Sequence, residues 1–227
     1  MEEIMWTRWG RRACFLVAAG VSLLGCKPPE SGEALPDARD PGGDSPDAFP
    51  GSPVLALPLT ISDYFVPGGY MGDGAISTTA IMVQTTTCRQ PRPSGAAGDC
   101  YWFTYRPAVR SWAGIYWQYP EKNWGANPGK QIEAGATKVT FHAAGATGRE
   151  VIQFIAGGEN DVNLPYHDSF TATKTVALTT SVAQYQIDIT GKSYEPGVLG
   201  AFAWSVGVPP GSTAPVEFYL DTIRWEK

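Results

Sequence analysis

The stretch Thr137-Lys138-Val139-Thr140-Phe141-His142-Ala143 decides the fold class. Its apolar residues Val139, Phe141 and Ala143 occupy every second position, with Thr140 and His142 between them. Successive side chains of an extended strand point to opposite faces, so this spacing puts one face in a core and the other in solvent. Tyr185, Ile187 and Ile189 repeat the pattern around Gln186 and Asp188. Working outward from these two segments, short β-type runs recur between Gly-, Pro- and Asn-rich turns. The runs predict strands near 55–61, 76–84, 101–106, 113–119, 137–143, 149–156, 169–178, 182–189, 198–206 and 216–225. From Val54 onward nothing sustains helical spacing over ten residues, and no internal repeat is visible. About ten short strands predict an all-β domain over 54–227, a jelly-roll β-sandwich.

The bulk composition agrees. The chain has 227 residues, of which 17% are charged and 12% aromatic, a balance typical of β-rich extracellular domains. The charge is unevenly spread. Residues 27–59 carry two basic and six acidic side chains, whereas 60–227 carry 12 basic and 14 acidic, a net of −2. A nearly neutral domain without a basic stripe argues against nucleic-acid binding, and it suits a neutral ligand better than a polyanion.

The N-terminus reads as an address. Arg8, Arg11 and Arg12 precede an apolar run from Ala13 to Gly25. Thirteen helical residues rise only about 20 Å, short of a ~30 Å hydrocarbon core, so 1–25 reads as a signal peptide. The run ends Leu23-Leu24-Gly25-Cys26, which resembles the bacterial lipobox. The resemblance implies that Cys26 is acylated and becomes the mature N-terminus, fixing the protein to a membrane by lipid chains. It also implies export to the cell envelope. Lys27 stands where inner-membrane retention would place an aspartate, which favours the outer membrane or cell surface in a Gram-negative source. The segment after Cys26, through Pro53, is rich in Pro, Gly, Ser and Asp and too poor in apolar residues to bury a core. It reads as a disordered, extended linker that spaces the domain from the bilayer.

Two cysteines remain in the domain, Cys88 and Cys100, with eleven residues between them. An exported protein meets oxidising conditions, so they are expected to pair as a disulfide. The spacing does not suit a CxxC redox pair, and two histidines in the chain make a zinc site unlike this sequence.

Three segments carry a wider resemblance: ISDYFVPGGYMGDG at 61–74, WAGIYWQYPEKNWGANPG at 112–129 and FYLDTIRWE at 218–226. With the strand spacing, they resemble the jelly-roll domains of secreted bacterial carbohydrate-binding modules and galactose-binding-like domains. The resemblance implies a structural Ca²⁺ beside the first and last strands, held by hard oxygen ligands. Asp221 matches the last-strand aspartate of that pattern; Asp63 and Asp73 lie in the matching N-terminal region. Asp221 pairing with an arginine, or Asp73 serving a tight turn, are the structural alternatives.

A ligand would meet the densest aromatic stretch: Trp112, Tyr116, Trp117, Tyr119 and Trp124. On a strand, Trp112, Gly114, Tyr116 and Gln118 share one face and Ala113, Ile115, Trp117 and Tyr119 the other. Sugars stack their C–H faces on aromatic rings, and amides or carboxylates bind the hydroxyls. The loop GGENDVNLPYHDSF at 157–170, with Asp168, is the candidate for such polar contacts. Nothing points to catalysis: there is no GxSxG elbow, HExxH or phosphate-cradling GK[ST] loop. A paired-carboxylate glycan hydrolase or lyase is the remaining enzymatic route, but no catalytic residues stand out. The expectation is a monomeric, non-catalytic, glycan-binding lipoprotein. The alternative is a structural or protein-interaction lipoprotein built on the same sandwich.

Overall fold

The computed structural model describes residues 53–85 and 87–227. The segments read as a signal peptide and, up to residue 52, as a linker, with Cys26 between them, lie outside the described residues.

Two antiparallel sheets stack face to face as a jelly-roll sandwich. The first runs β3 (Ile81–Gln84), β4 (Cys100–Tyr105), β11 (Val216–Glu226), β6 (Lys138–Gly145), β9 (Ala183–Asp188), with the short β1 (Leu59–Thr60) also on β11. The second runs β2 (Val66–Gly72), β5 (Trp112–Gln118), β10 (Gly200–Gly207), β7 (Val151–Gly157), β8 (Thr171–Ala177). From β4 onward the chain crosses between sheets at every connection except β7 to β8. Each crossing turns an alternating strand so that its apolar set faces the same central layer.

The opening stretch sits as its pattern requires. Val139, Phe141 and Ala143 are fully buried in the core; on the other face His142 is partly exposed, but Thr140 is covered as well, at 5% exposure. Phe141 meets Phe154 and Phe202 of the opposite sheet, at ring-centroid distances of 4.3 and 5.3 Å. The longest strand, β11, is the spine of the first sheet. Its Phe218, Leu220 and Trp225 are buried, and the register against β6 shifts between Asp221 and Arg224.

Three sequence expectations change. The strand near 55–61 shortens to Leu59–Thr60, and the one near 76–84 begins only at Ile81. The third change is an addition. Val66–Gly72, VPGGYMG, is a full strand that its proline and glycines disguise as a turn. It lies at the edge of the second sheet, the position where a proline's missing N–H costs no ladder bond.

The disulfide between Cys88 and Cys100 is present, with Cα atoms 5.5 Å apart. It closes a loop over the outer face of the first sheet, where Trp102 and Tyr219 are buried beside it. Arg89 lies 4.9 Å from the Trp102 ring centroid. Arg92, from the same loop, reaches Asp221 with two nitrogens, at 2.9 and 2.7 Å.

Candidate functional site

The edge strand β2 and its neighbour β5 build an open groove of about 530 Å³ on the outer face of the second sheet. Gly68 and Gly72 of β2 line it along about 13 Å of strand, with Gly74, Ala75 and Thr78 from the short helical turns that follow. Trp112 and Trp124 stand over it, with Tyr70 and Met71 between. Arg110 and Lys122 also line it.

The glycines are required by close approach. A Cβ on Gly72, which has φ +60°, would lie 2.3 Å from the carbonyl oxygen of Trp112. A Cβ on Gly69 would lie 2.5 Å from Oε1 of Gln118. Side chains of β5 therefore fold across the backbone of β2, and only glycine there allows so close an approach.

Asp73 positions one end of the groove. It is 1% exposed and accepts hydrogen bonds from the Tyr105 hydroxyl (2.7 Å), the Ala108 N–H (2.9 Å) and the Arg110 N–H (2.6 Å). Burial by itself would raise its pKa, but the Arg110 N–H, the Tyr105 hydroxyl and the Ala108 N–H together hold it below the ordinary value. The carboxylate thus ties the 106–111 turn to the end of β2, which sets Arg110 and Trp112 beside the groove.

The other end is set by two interlocked loops. Trp124 meets Tyr116 edge to face, with centroids 6.2 Å apart, and is 41% exposed. Its loop is held from within by Asn123, whose side chain donates to the carbonyls of Tyr119 and Asn127. The Tyr166 N–H donates to the Gly125 carbonyl and joins this loop to the 158–169 segment. Beneath them Gln118 is fully buried and donates to Glu159 at 2.7 Å, while its Oε1 has no partner among the described residues. Burial pushes the Glu159 carboxyl up to about 7; the charge of Asp168 adds to this and the Gln118 bond opposes it.

The aromatic stretch divides along the pleat. Trp112 and Trp124 meet the groove, and Tyr116 supports Trp124 from below. Trp117 points the other way. It is fully buried between Tyr101, Phe103 and Phe202, and its indole N–H donates to the Tyr101 hydroxyl at 3.2 Å. A ligand role for Trp117 is thereby corrected to core packing. Tyr119, also expected at the ligand, packs edge-on against Phe65 and carries the Lys130 ammonium 3.9 Å from its ring centroid.

Asp168, expected at the rim, is 2% exposed and fully engaged. Oδ1 accepts from the Leu199 N–H at 2.7 Å, and Oδ2 from the N–H groups of Glu159 and Gly200 at 3.1 and 3.3 Å. Burial lifts its carboxyl to about 6 against the pull of these three donors. It fastens the 158–169 loop to the start of β10, and no lone pair is turned to the groove.

The donor sets do not fit a calcium ion at the expected aspartates. Asp221 is fully buried and faces the Arg92 guanidinium, with the Tyr219 and Thr222 hydroxyls donating as well. Burial would raise its pKa, but the bond from Arg92 leads the contributions that keep it low. A cation there would displace a cation. Asp73 has its oxygens turned to three protein donors, and Asp63 is an exposed residue of the turn before β2. Among the described residues no three His, Cys, Asp or Glu side chains gather as a metal site.

No family model matches the sequence, and no curated protein matches it. Solved structures do. The chain is similar to a family 11 carbohydrate-binding module of a cellulosomal cellulase of Clostridium thermocellum, at 15% identity over 77% of this chain and 96% of that one, TM-score 0.43. It is similar to a family 30 carbohydrate-binding module at 12% identity, over 74% of this chain and 97% of that one, TM-score 0.44. A third, described for promiscuous specificity among carbohydrate-binding modules of the β-sandwich superfamily, shares 12% identity over 77% of this chain and 63% of that one, TM-score 0.45.

Sequence reasoning missed Tyr70, Met71, Arg110 and Lys122, because the strand that gathers them was hidden in VPGGYMG. A proline followed by two glycines before a Tyr-Met pair was the available signal of an edge strand.

Proposed function

We propose that this chain is a non-catalytic glycan-binding lipoprotein, held at the cell envelope by lipid on Cys26 and displayed on the linker that follows. The observation that carries the reading is the groove itself: an open site beside the edge strand β2, flanked by the half-buried Trp112 and the 41%-exposed Trp124. Rigid aromatic rings at an open groove suit the C–H faces of a sugar chain, and aromatic contacts of this kind are worth about 0.5–1.5 kcal/mol each beyond area burial. A volume near 530 Å³ falls in the range of small-molecule sites. Of the carboxylates near the groove, Asp73 is engaged by three protein donors, and Glu121, which lies against Gly68, is more than half exposed.

Affinity electrophoresis of the full chain against a panel of neutral and acidic polysaccharides tests the reading. Retardation by at least one of them is expected, with Trp112→Ala and Trp124→Ala each weakening it about tenfold. A folded chain retarded by none, or binding that survives both substitutions, would sink it. Mass spectrometry of the mature N-terminus tests the anchor: an unmodified Cys26 thiol is the adverse result.

A further inference from the structure

The domain as a whole is slightly acidic, with 12 basic and 14 acidic residues over 60–227, yet the charged side chains lining the groove are cations. Arg110 stands with Trp112 at the end of β2; Lys122 and Trp124 line the same groove, where the side chain of Glu121 lies against Gly68. Both ends are held in uncommon backbone conformations: Ser111, next to Arg110, has φ 56°, and Lys122 has φ 60°. Non-glycine residues adopt such angles where the surrounding structure fixes them, and they cluster at ligand clamps.

Nearby acids do not cancel this arrangement equally. Glu121 approaches Lys122 at 3.6 Å, but both are more than half exposed, a pairing that holds a lysine only loosely. Asp73 lies beneath the other end, where three hydrogen bonds take up its charge and none comes from the Arg110 side chain. Among the described residues Arg110 forms no ion pair. A guanidinium is a planar fork of donors suited to carboxylate or sulfate, and here it is set beside a stacking tryptophan.

We propose that the natural ligand of the groove is an anionic polysaccharide, whose acid groups are gripped by Arg110 while its rings lie along Trp112 and Trp124. The proposal rests on the glycan-binding reading and narrows it. The near-neutral average of the domain, which by itself favours a neutral ligand, conceals this local segregation of charge.

The test is titration calorimetry of the full chain with a polyuronate, a sulfated galactan and a neutral glucan of similar length, in low and moderate salt. The expected result is binding to at least one anionic polymer about tenfold or more tighter than to the glucan, weakening as salt rises. Arg110→Gln should lower that affinity about tenfold, with Arg110→Lys intermediate, because lysine keeps the charge but not the fork. Lys192→Gln, an exposed cation outside the groove, should leave it unchanged. The two acidic probes separate carboxylate from sulfate as the group recognised. Equal or tighter binding of the glucan, or anionic binding that Arg110→Gln does not weaken, overturns the proposal and leaves the glycan reading standing. No binding to any of the three polymers by the folded chain overturns both.

Discussion

Replacing Glu159 with glutamine should stabilise the domain above neutral pH. The Glu159 carboxyl sits over Gln118 beside the buried Asp168, and burial pushes it up from 4.5 to about 7. Ionising it in the folded state therefore costs roughly 3 kcal/mol more than in the unfolded chain. The sign follows from proton binding. Between about pH 4.5 and 7 the folded state holds this proton and the unfolded state has lost it, so stability falls as pH rises through that window. The penalty is absent below about 4.5 and complete above about 7. Glutamine at 159 carries no charge, still accepts from Gln118 Nε2 and brings a donor for the unpartnered Gln118 Oε1. Urea unfolding of the full chain and of Glu159→Gln should give matching stabilities at pH 4.5. At pH 8 the variant should be more stable by about 2–3 kcal/mol. Taking the difference between the two proteins cancels titrating groups outside the cluster, including the low-pKa Asp73 and Asp221, while Asp168 titrates with Glu159 as part of it. A variant less stable at pH 8, or a difference that does not change with pH, would refute this account of the Gln118–Glu159–Asp168 cluster.

Two further substitutions separate packing from binding. Trp117→Ala removes a fully buried ring from the centre of the sandwich and should cost about 3–5 kcal/mol by chemical denaturation, whereas Trp124→Ala should cost less than 1. A small loss at Trp117 would contradict its place in the core. Arg92→Met leaves Asp221 ionised and buried without its guanidinium, though the Tyr219 and Thr222 hydroxyls still donate. A loss of roughly 2–3 kcal/mol is expected, most of it recovered when Asp221→Asn is added. Double-mutant unfolding in which the two losses simply sum would argue against the clamp.

The division between sequence and tertiary structure follows from what each physical signal depends on. Period-two burial is a local property of strand geometry, so Val139, Phe141 and Ala143 announced their core face, and Tyr185, Ile187 and Ile189 announced theirs. The pairing of Cys88 with Cys100 was equally legible, since two thiols in a chain whose N-terminus reads as an export signal have little else to meet. The strand Val66–Gly72 was not legible, because proline and glycine read as a turn unless it is known that the strand lies at an edge and that Trp112 and Gln118 fold across it. The aromatic stretch also gave both of its faces apolar or aromatic residues, so its own pattern left Trp112 and Trp117 equivalent. Only the stacking of the two sheets put Trp117 against Phe103 and Phe202 and left Trp112 beside the groove. Charge behaves in the same way. Net charge is additive along the chain and is fixed by composition, whereas the field at a site depends on distance. The meeting of Arg110 and Lys122 at one groove therefore exists only once β2 and β5 have paired.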